Sequence, residues 1–270
     1  MTTMKKLLVV FGALVAVAAI VTVSVLGTIA YLSSSAAVSN VFTVGDVYIT
    51  MTESKVNSDG TLADGGVTQV DTNTYHLVPG KKYIKDPKIF VQPGSEASYL
   101  FVLVRNDLEA IAIDNSGMSE QDKANNLTIA QQMIANGWYP YVEASTGTVY
   151  VYAGFTGEGS SKTSNVPANA DIDGNNFITN NATAATTSTT ATAGQTIKLF
   201  DYFVIDPDAT VKTYGAAKIT LTAVAIQADG FGPVGTQAAV NAAWDAVMSD
   251  YPYIHTGNNN SGSGSSGSGT

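Results

Sequence analysis

A run of alternating oxygen donors, Asp171-Ile172-Asp173-Gly174-Asn175-Asn176, carries the most distinctive chemistry in this 270-residue chain. Side-chain oxygens at alternate positions are how a loop wraps a calcium ion, so Asp171, Asp173 and Asn175 are the candidate ligands. The run lacks the glycine expected at the sixth position, and Ala182 stands where a bidentate glutamate would complete the shell. Such a loop would bind Ca2+ weakly, and an Asx-rich turn accounts for the same residues. Catalytic zinc usually takes three ligands from His, Glu, Asp or Cys, and this chain has only His76 and His255, with no HExxH helix. No Gly-x-Ser-x-Gly elbow follows a predicted buried strand, and no phosphate-binding Gly-x-x-x-x-Gly-Lys-Ser/Thr loop is present. There is no cysteine, which removes thiolate chemistry, a disulfide framework and Cys-based zinc sites together. The chain is expected to be no enzyme and to carry no cofactor.

The elements that would position such residues begin with an apolar leader. Lys5 and Lys6 precede a nearly unbroken apolar run from Leu7 to Ile29, ending in Gly27-Thr28-Ile29-Ala30. A basic start, an apolar stretch and a terminal small residue mark an export signal over residues 1–30, with cleavage expected between Ala30 and Tyr31. The run is also long enough to cross a bilayer as a helix, so an uncleaved anchor is the rival, and the only membrane contact expected. Of the 13 basic residues two lie in the leader, so 11 remain against 22 acids in the exported part. That balance opposes nucleic-acid binding, because phosphates require Lys and Arg to neutralise them.

Beyond the leader the pattern is mostly that of short strands between turn signals. From Asp46 to Glu53 the residues alternate, with Val47, Ile49 and Met51 on one face. Short strands are predicted near 74–77 and 88–91, each followed by Pro-Gly. Residues 97–105 include Tyr99-Leu100-Phe101-Val102-Leu103-Val104, the continuous run of a strand covered on both faces and hence central. Ser119 with Glu120 and Asp122 predicts a helix start, and Leu127, Ala130, Met133 and Ile134 continue it to Gly137. A hairpin over 138–142 and 149–154 follows, carrying Tyr139, Tyr141, Tyr150 and Tyr152, which suit either exposed contacts or ordinary cross-strand pairs. Residues 157–195 are too poor in apolar side chains to offset ordering and form a long polar insertion. Strands over 196–205 and 218–227 and a last helix capped by Thr236, with Val240, Ala243, Trp244 and Val247 facing the core, close the domain at about residue 256. A Gly/Ser tail occupies 257–270. The fold class expected is all-β, a jelly-roll-like β-sandwich over 44–256 with two short helices.

The segments Gly27-Thr28-Ile29-Ala30-Tyr31 and Val38-Ser39-Asn40-Val41-Phe42-Thr43-Val44-Gly45-Asp46-Val47 resemble the leader and first strand of the camelysin/TasA family. Leu77–Pro87, Tyr99–Val104, Ala225–Phe231 and Ala243-Trp244-Asp245 match its looser pattern, while the polar insertion does not. The resemblance implies export by a dedicated signal peptidase and a jelly-roll subunit of biofilm-matrix fibres or archaeal bundling pili. It also implies that the freed N-terminal segment of one subunit completes the sheet of the next. Camelysin itself lends the family a metallopeptidase label, and the two isolated histidines give that activity nothing to stand on.

The residues are compatible with that implied arm, which would occupy 31–43. Leu32, Ala36, Val38 and Phe42 fall on one face of an alternating stretch, as a strand added to an open sheet edge requires. Burying Leu32, Val38 and Phe42 would contribute roughly 1.5–3 kcal/mol each, less the cost of ordering the arm. Because donor and acceptor surfaces differ, such a contact runs head to tail and propagates a filament of one chain outside the cell. The expectation from the sequence is therefore a secreted, self-assembling structural subunit whose sheet carries an unfilled groove. The rival is a monomeric adhesin or binding module, displayed by its N-terminal helix, in which residues 31–42 tether the domain or pair within it.

Overall fold

Apolar alternation bounded by turn residues becomes sheet along most of the chain. The computed structural model describes residues 34–44, 47–144, 147–156, 163–164, 166, 194–211 and 214–250. Its strands are β1 (Ser34–Val44), β2 (Ile49–Ser54), β3 (Gln69–Val70), β4 (Thr72–Tyr75), β5 (Lys82–Ile84), β6 (Lys88–Val91) and β7 (Ser98–Asn106). They continue as β8 (Trp138–Ala144), β9 (Gly147–Tyr152), β10 (Phe155–Thr156), β11 (Thr163–Ser164), β12 (Thr196–Lys198), β13 (Tyr202–Val204) and β14 (Ile219–Gln227). The described helices are α1 (Glu120–Asn125), α2 (Ile129–Ala135) and α3 (Gln237–Asp250), with a 3-10 turn at Glu109–Ile111. The leader, the Ala30/Tyr31 junction, Leu32, the calcium candidates Asp171, Asp173 and Asn175, and the tail lie outside the described residues.

The fold is all-β with few helices. A six-stranded sheet runs β4-β1-β14-β7-β9-β8 and a four-stranded one runs β12-β6-β2-β3, with small pairs β13-β5 and β10-β11 beside them. β7 is interior, and its continuous apolar run divides between two cores. Leu100, Val102 and Val104 join Met51, Ile89, Val91 and Ile197 of the second sheet in one cluster. Tyr99, Phe101 and Leu103 join Val240, Ala243, Trp244 and Val247 of α3 in another. The order of layers is thus sheet, sheet, helix, and the α3 face is core.

Three expectations change. The helix predicted over 119–137 is two helices, because Thr128 starts a new one: its hydroxyl accepts from the Gln131 N–H at 3.2 Å while the Gln131 side chain accepts from the Thr128 N–H at 2.9 Å. This reciprocal cap outcompetes continuation through Asn125 and Asn126. The strand predicted over 196–205 is broken between β12 and β13, which belong to different sheets. The corner is held by polar side chains from α2 and β8: Asn136 donates to Leu199 O at 2.8 Å, Trp138 Nε1 to Lys198 O at 2.8 Å, and Gln132 Oε1 accepts from Asp201 N at 2.9 Å. Within the polar insertion, Thr163–Ser164 pairs with β10, and Ser164 Oγ donates to Ile134 O at 2.8 Å. The four hairpin tyrosines are all buried.

Candidate strand-binding site

β1 is the first described element of the chain, yet it lies inside the larger sheet, between β4 and β14. Its ladder with β14 is parallel, with Val38, Ser39 and Asn40 opposite Leu221, Thr222 and Ala223, and Thr43 and Val44 opposite Ala225 and Ile226. Its ladder with β4 is antiparallel, Ser34 to Ala37 running against Tyr75 to Thr72. A parallel pair cannot be closed by a hairpin, so the strand must arrive from a distant part of the chain, here its N-terminal side. Withdrawing β1 would strip hydrogen-bond partners from one edge of β14 and of β4. β14 is buried along most of its length, and unpaired backbone groups there are costly. The slot is accordingly one strand wide.

Of the arm residues expected from the sequence, Ala36 stands opposite Asn73 and Val38 opposite Leu221. Phe42 falls within the irregular stretch between Asn40 and Thr43, where β1 carries one residue more than β14. That bulge interrupts the two-residue period on which the sequence placed Val38 and Phe42 together. The expected groove is not open in the single chain either: β1 fills it in cis.

Behind the β4 wall lies a polar cluster inside the apolar core. Lys85 Nζ meets Glu53 Oε2 at 2.7 Å, and both side chains have 0% exposure. Asn73, on β4, accepts from Val56 N–H through Oδ1 at 2.9 Å and donates from Nδ2 to Ser54 O at 2.9 Å. The Asn73 amide also lies beside the Glu53 carboxylate, whose Oε1 has no hydrogen-bond partner among the described residues. Asp86 accepts from Ser54 N–H and Oγ–H, each at 2.7 Å, and pairs with Lys88 at 3.3 Å. Tyr75, Tyr83 and Phe203 pack around one another with ring centres 5.1–5.8 Å apart. Burial pushes the Glu53 carboxyl up against the opposing pull of Lys85, and burial pushes the Lys85 amine down against the pull of Glu53. Both shifts favour the uncharged pair.

Sequence reasoning missed these three residues: Glu53 closes the predicted alternating stretch, but Asn73 lies just before the strand predicted near 74–77 and Lys85 before the one predicted at 88–91. Glu53 continues the inward phase of Val47 and Met51, Asn73 precedes Tyr75 and Leu77, and Lys85 falls between Tyr83 and Ile89. Elsewhere, Val104, Leu108, Ile113, Ile129, Tyr150 and Phe203 help line a cavity of about 280 Å3. Glu143 at its wall accepts from Thr148 at 3.0 Å and is pushed up by burial, with the charge of Glu109, which also lines the cavity together with Asp114, adding to the rise. Among the described residues no group of three or more His, Asp or Glu side chains is placed to hold a metal ion, and no helix is long and apolar enough to cross a membrane.

Fold and site define an all-β domain whose first described strand is an interior member of its own sheet. No protein-family model, curated protein or solved structure matches the chain.

Proposed function

We propose that the protein is a structural subunit of an extracellular filament, in which β1 leaves its own slot and enters that of the next copy. The observation that carries this reading is the interior, parallel position of β1, the first described strand. Once the leader is cut away, β1 can be withdrawn without unthreading any other described element. Exchange between copies remakes the same two ladders, so the large ordering cost of an eleven-residue strand is offset equally in either state. The balance then rests on the connection between β1 and β2 and on the new interface that exchange creates between neighbouring domains. Since the slot and the arm are different surfaces, the exchange is head to tail and does not close. Export by a signal peptidase cutting between Ala30 and Tyr31, and a jelly-roll arrangement of the sheets, belong to this reading and rest on the resemblance to the camelysin/TasA family.

The absence of natural cysteines allows a direct test, because Ser35 and Thr74 are opposed across the β1–β4 ladder. Oxidised Ser35→Cys/Thr74→Cys protein is expected to run as a covalent ladder on a denaturing gel when taken from filaments, and as a linked monomer otherwise. Removal of residues 31–38 should abolish filaments seen by electron microscopy. Filaments of normal abundance from that deletion, or only intrachain links within filaments, would refute exchange.

The cis pairing of β1 favours a second reading, a monomer displayed at the cell surface by an uncleaved leader. N-terminal sequencing of the exported protein separates the two: a start at Tyr31 is needed for a free arm and is incompatible with an anchor.

A further inference from the structure

The Glu53–Lys85–Asn73 cluster is larger than a structural ion pair requires. An apolar core gains nothing from an isolated buried pair that hydrophobic residues of similar size could replace. A third group, the Asn73 amide, lies against the same carboxylate, and its exposure is 5% against 0% for the two charged side chains. We propose that Lys85 and Asn73 become joined through their side chains by an amide bond, formed inside the folded domain with Glu53 as the proton carrier.

The proton carrier and the polarised carbonyl each have a residue in place. An uncharged lysine amine is a nucleophile, and desolvation in an apolar site is a standard way of obtaining one. Transfer of the Lys85 proton to Glu53, 2.7 Å away, converts the pair to that reactive form. The carbonyl to be attacked is polarised by the Val56 N–H on Asn73 Oδ1, a donor that also stabilises the negative oxygen formed on attack. The hydrogen bond from Asn73 Nδ2 to Ser54 O fixes the orientation of the amide, with Oδ1 turned to the Val56 N–H. Lys85 Nζ bonds to Asn73 Cγ, and Glu53 relays the second Nζ proton to Nδ2. The Cγ–Nδ2 bond then breaks and ammonia departs. An amine and a primary amide become a secondary amide and ammonia, with no oxidant, metal or further reactant. With 0% exposure at Glu53 and Lys85, in the core that holds Tyr75, Tyr83 and Phe203, the site keeps out water that would otherwise hydrolyse the intermediate.

The link would tie β4 to the residue that follows β5, making one wall of the β1 slot covalent in a chain that has no cysteine. It does not depend on strand exchange, and a monomer would carry it equally.

Mass spectrometry of the purified full chain tests the proposal. The intact mass is expected to fall short of the sequence mass, after any terminal processing, by one ammonia. A tryptic digest should keep the Asn73 peptide joined to the Lys85 peptide, with no cut after Lys85. Glu53→Gln should restore the unmodified mass, and Asn73→Asp should lose one water in place of ammonia. Parent protein at its full sequence mass with two separate peptides overturns the link, as does conversion of Asn73 to aspartate without joining. Loss of ammonia persisting in Glu53→Gln overturns the role of Glu53. Should that variant fail to fold, the parent mass and the peptide map still decide whether the link exists.

Discussion

The two faces of the six-stranded sheet are buried by different means. Toward α3 the covering contacts are largely apolar and aromatic, Trp244 lying 5.1 Å from Phe101 and 5.9 Å from Tyr141 between ring centres, with a polar tie where Tyr141 Oη donates to Asn241 Oδ1 at 2.6 Å. Toward the second sheet, an apolar core of the same kind encloses an ion pair with 0% exposure and the amide beside it. A helix can cover a sheet by complementary shape alone, and its residues are replaceable within limits of volume. The charged cluster lacks that tolerance, because Lys85 and Glu53 compensate each other and removing either leaves the other buried without its partner. The helix-covered face is therefore a problem of packing, while the sheet-covered face carries specificity and, if the amide link forms, chemistry.

Breaking the cluster from one side gives the largest expected effect. Lys85→Met leaves the Glu53 carboxylate buried without its partner and should cost about 3–5 kcal/mol in denaturant unfolding. Adding Glu53→Leu should recover most of that loss, because the pair as a whole is replaceable while either half is not. Equal stability of the single and double variants would mean that the carboxylate finds another partner, and the contrast between the faces would shrink accordingly.

On the helix-covered face, Trp244→Ala should cost about 3 kcal/mol through lost burial and the cavity it leaves. Unlike the lysine variant, it should be partly rescued by Trp244→Phe, which keeps an aromatic ring against Phe101 and Tyr141. Failure of phenylalanine to rescue would show that this face too depends on particular atoms.

How far the sequence disclosed this arrangement follows from what each signal measures. The alternation of 218–227 and the continuous run of 99–104 report burial on one or two faces, and β14 and β7 fall where those patterns put them. Helix α3 was legible for the same reason, through Val240, Ala243, Trp244 and Val247. The break between β12 and β13 was not legible, since it depends on Gln132, Asn136 and Trp138 bonding to a distant backbone. Nor was the partner of β1. Periodicity shows that a segment is strand-like and says nothing about which edge receives it. Of the cluster only Glu53 lay within a predicted strand; Asn73 and Lys85 fell just outside the strands predicted near 74–77 and 88–91, and the meeting of all three depends on how separate strands pair.

A pH titration sharpens the comparison from the alkaline side. Burial raises the Tyr75, Tyr83, Tyr150 and Tyr152 hydroxyls next to the second sheet, and the Tyr141 hydroxyl under α3. An unfolded tyrosine ionises near pH 10, whereas these folded ones hold their protons to higher pH. Their contribution to stability is thus complete below about pH 10 and is lost as pH rises toward the folded values. Tyrosinate absorbance is expected to lag behind that of free tyrosine and then rise together with loss of ellipticity. A smooth rise near pH 10 without unfolding would mean that the inter-sheet core admits water.

The smallest expected effect lies where the two cores meet. Helix α2 sends Met133 into the inter-sheet cluster and Ile134 into the one beneath α3. Its N-terminus is fixed by the Thr128–Gln131 cap, and at its other end Gly137 turns with φ +81°, where a Cβ would come within 2.7 Å of Gly154 O. Thr128→Ala removes one of the two reciprocal bonds and should cost about 1 kcal/mol, seen as a lower denaturant midpoint at unchanged slope. Because the helix is anchored in both cores, the loss should appear as one cooperative transition. Two resolved transitions would show that the cores unfold separately, and the two faces of the sheet would then differ in autonomy as well as in chemistry.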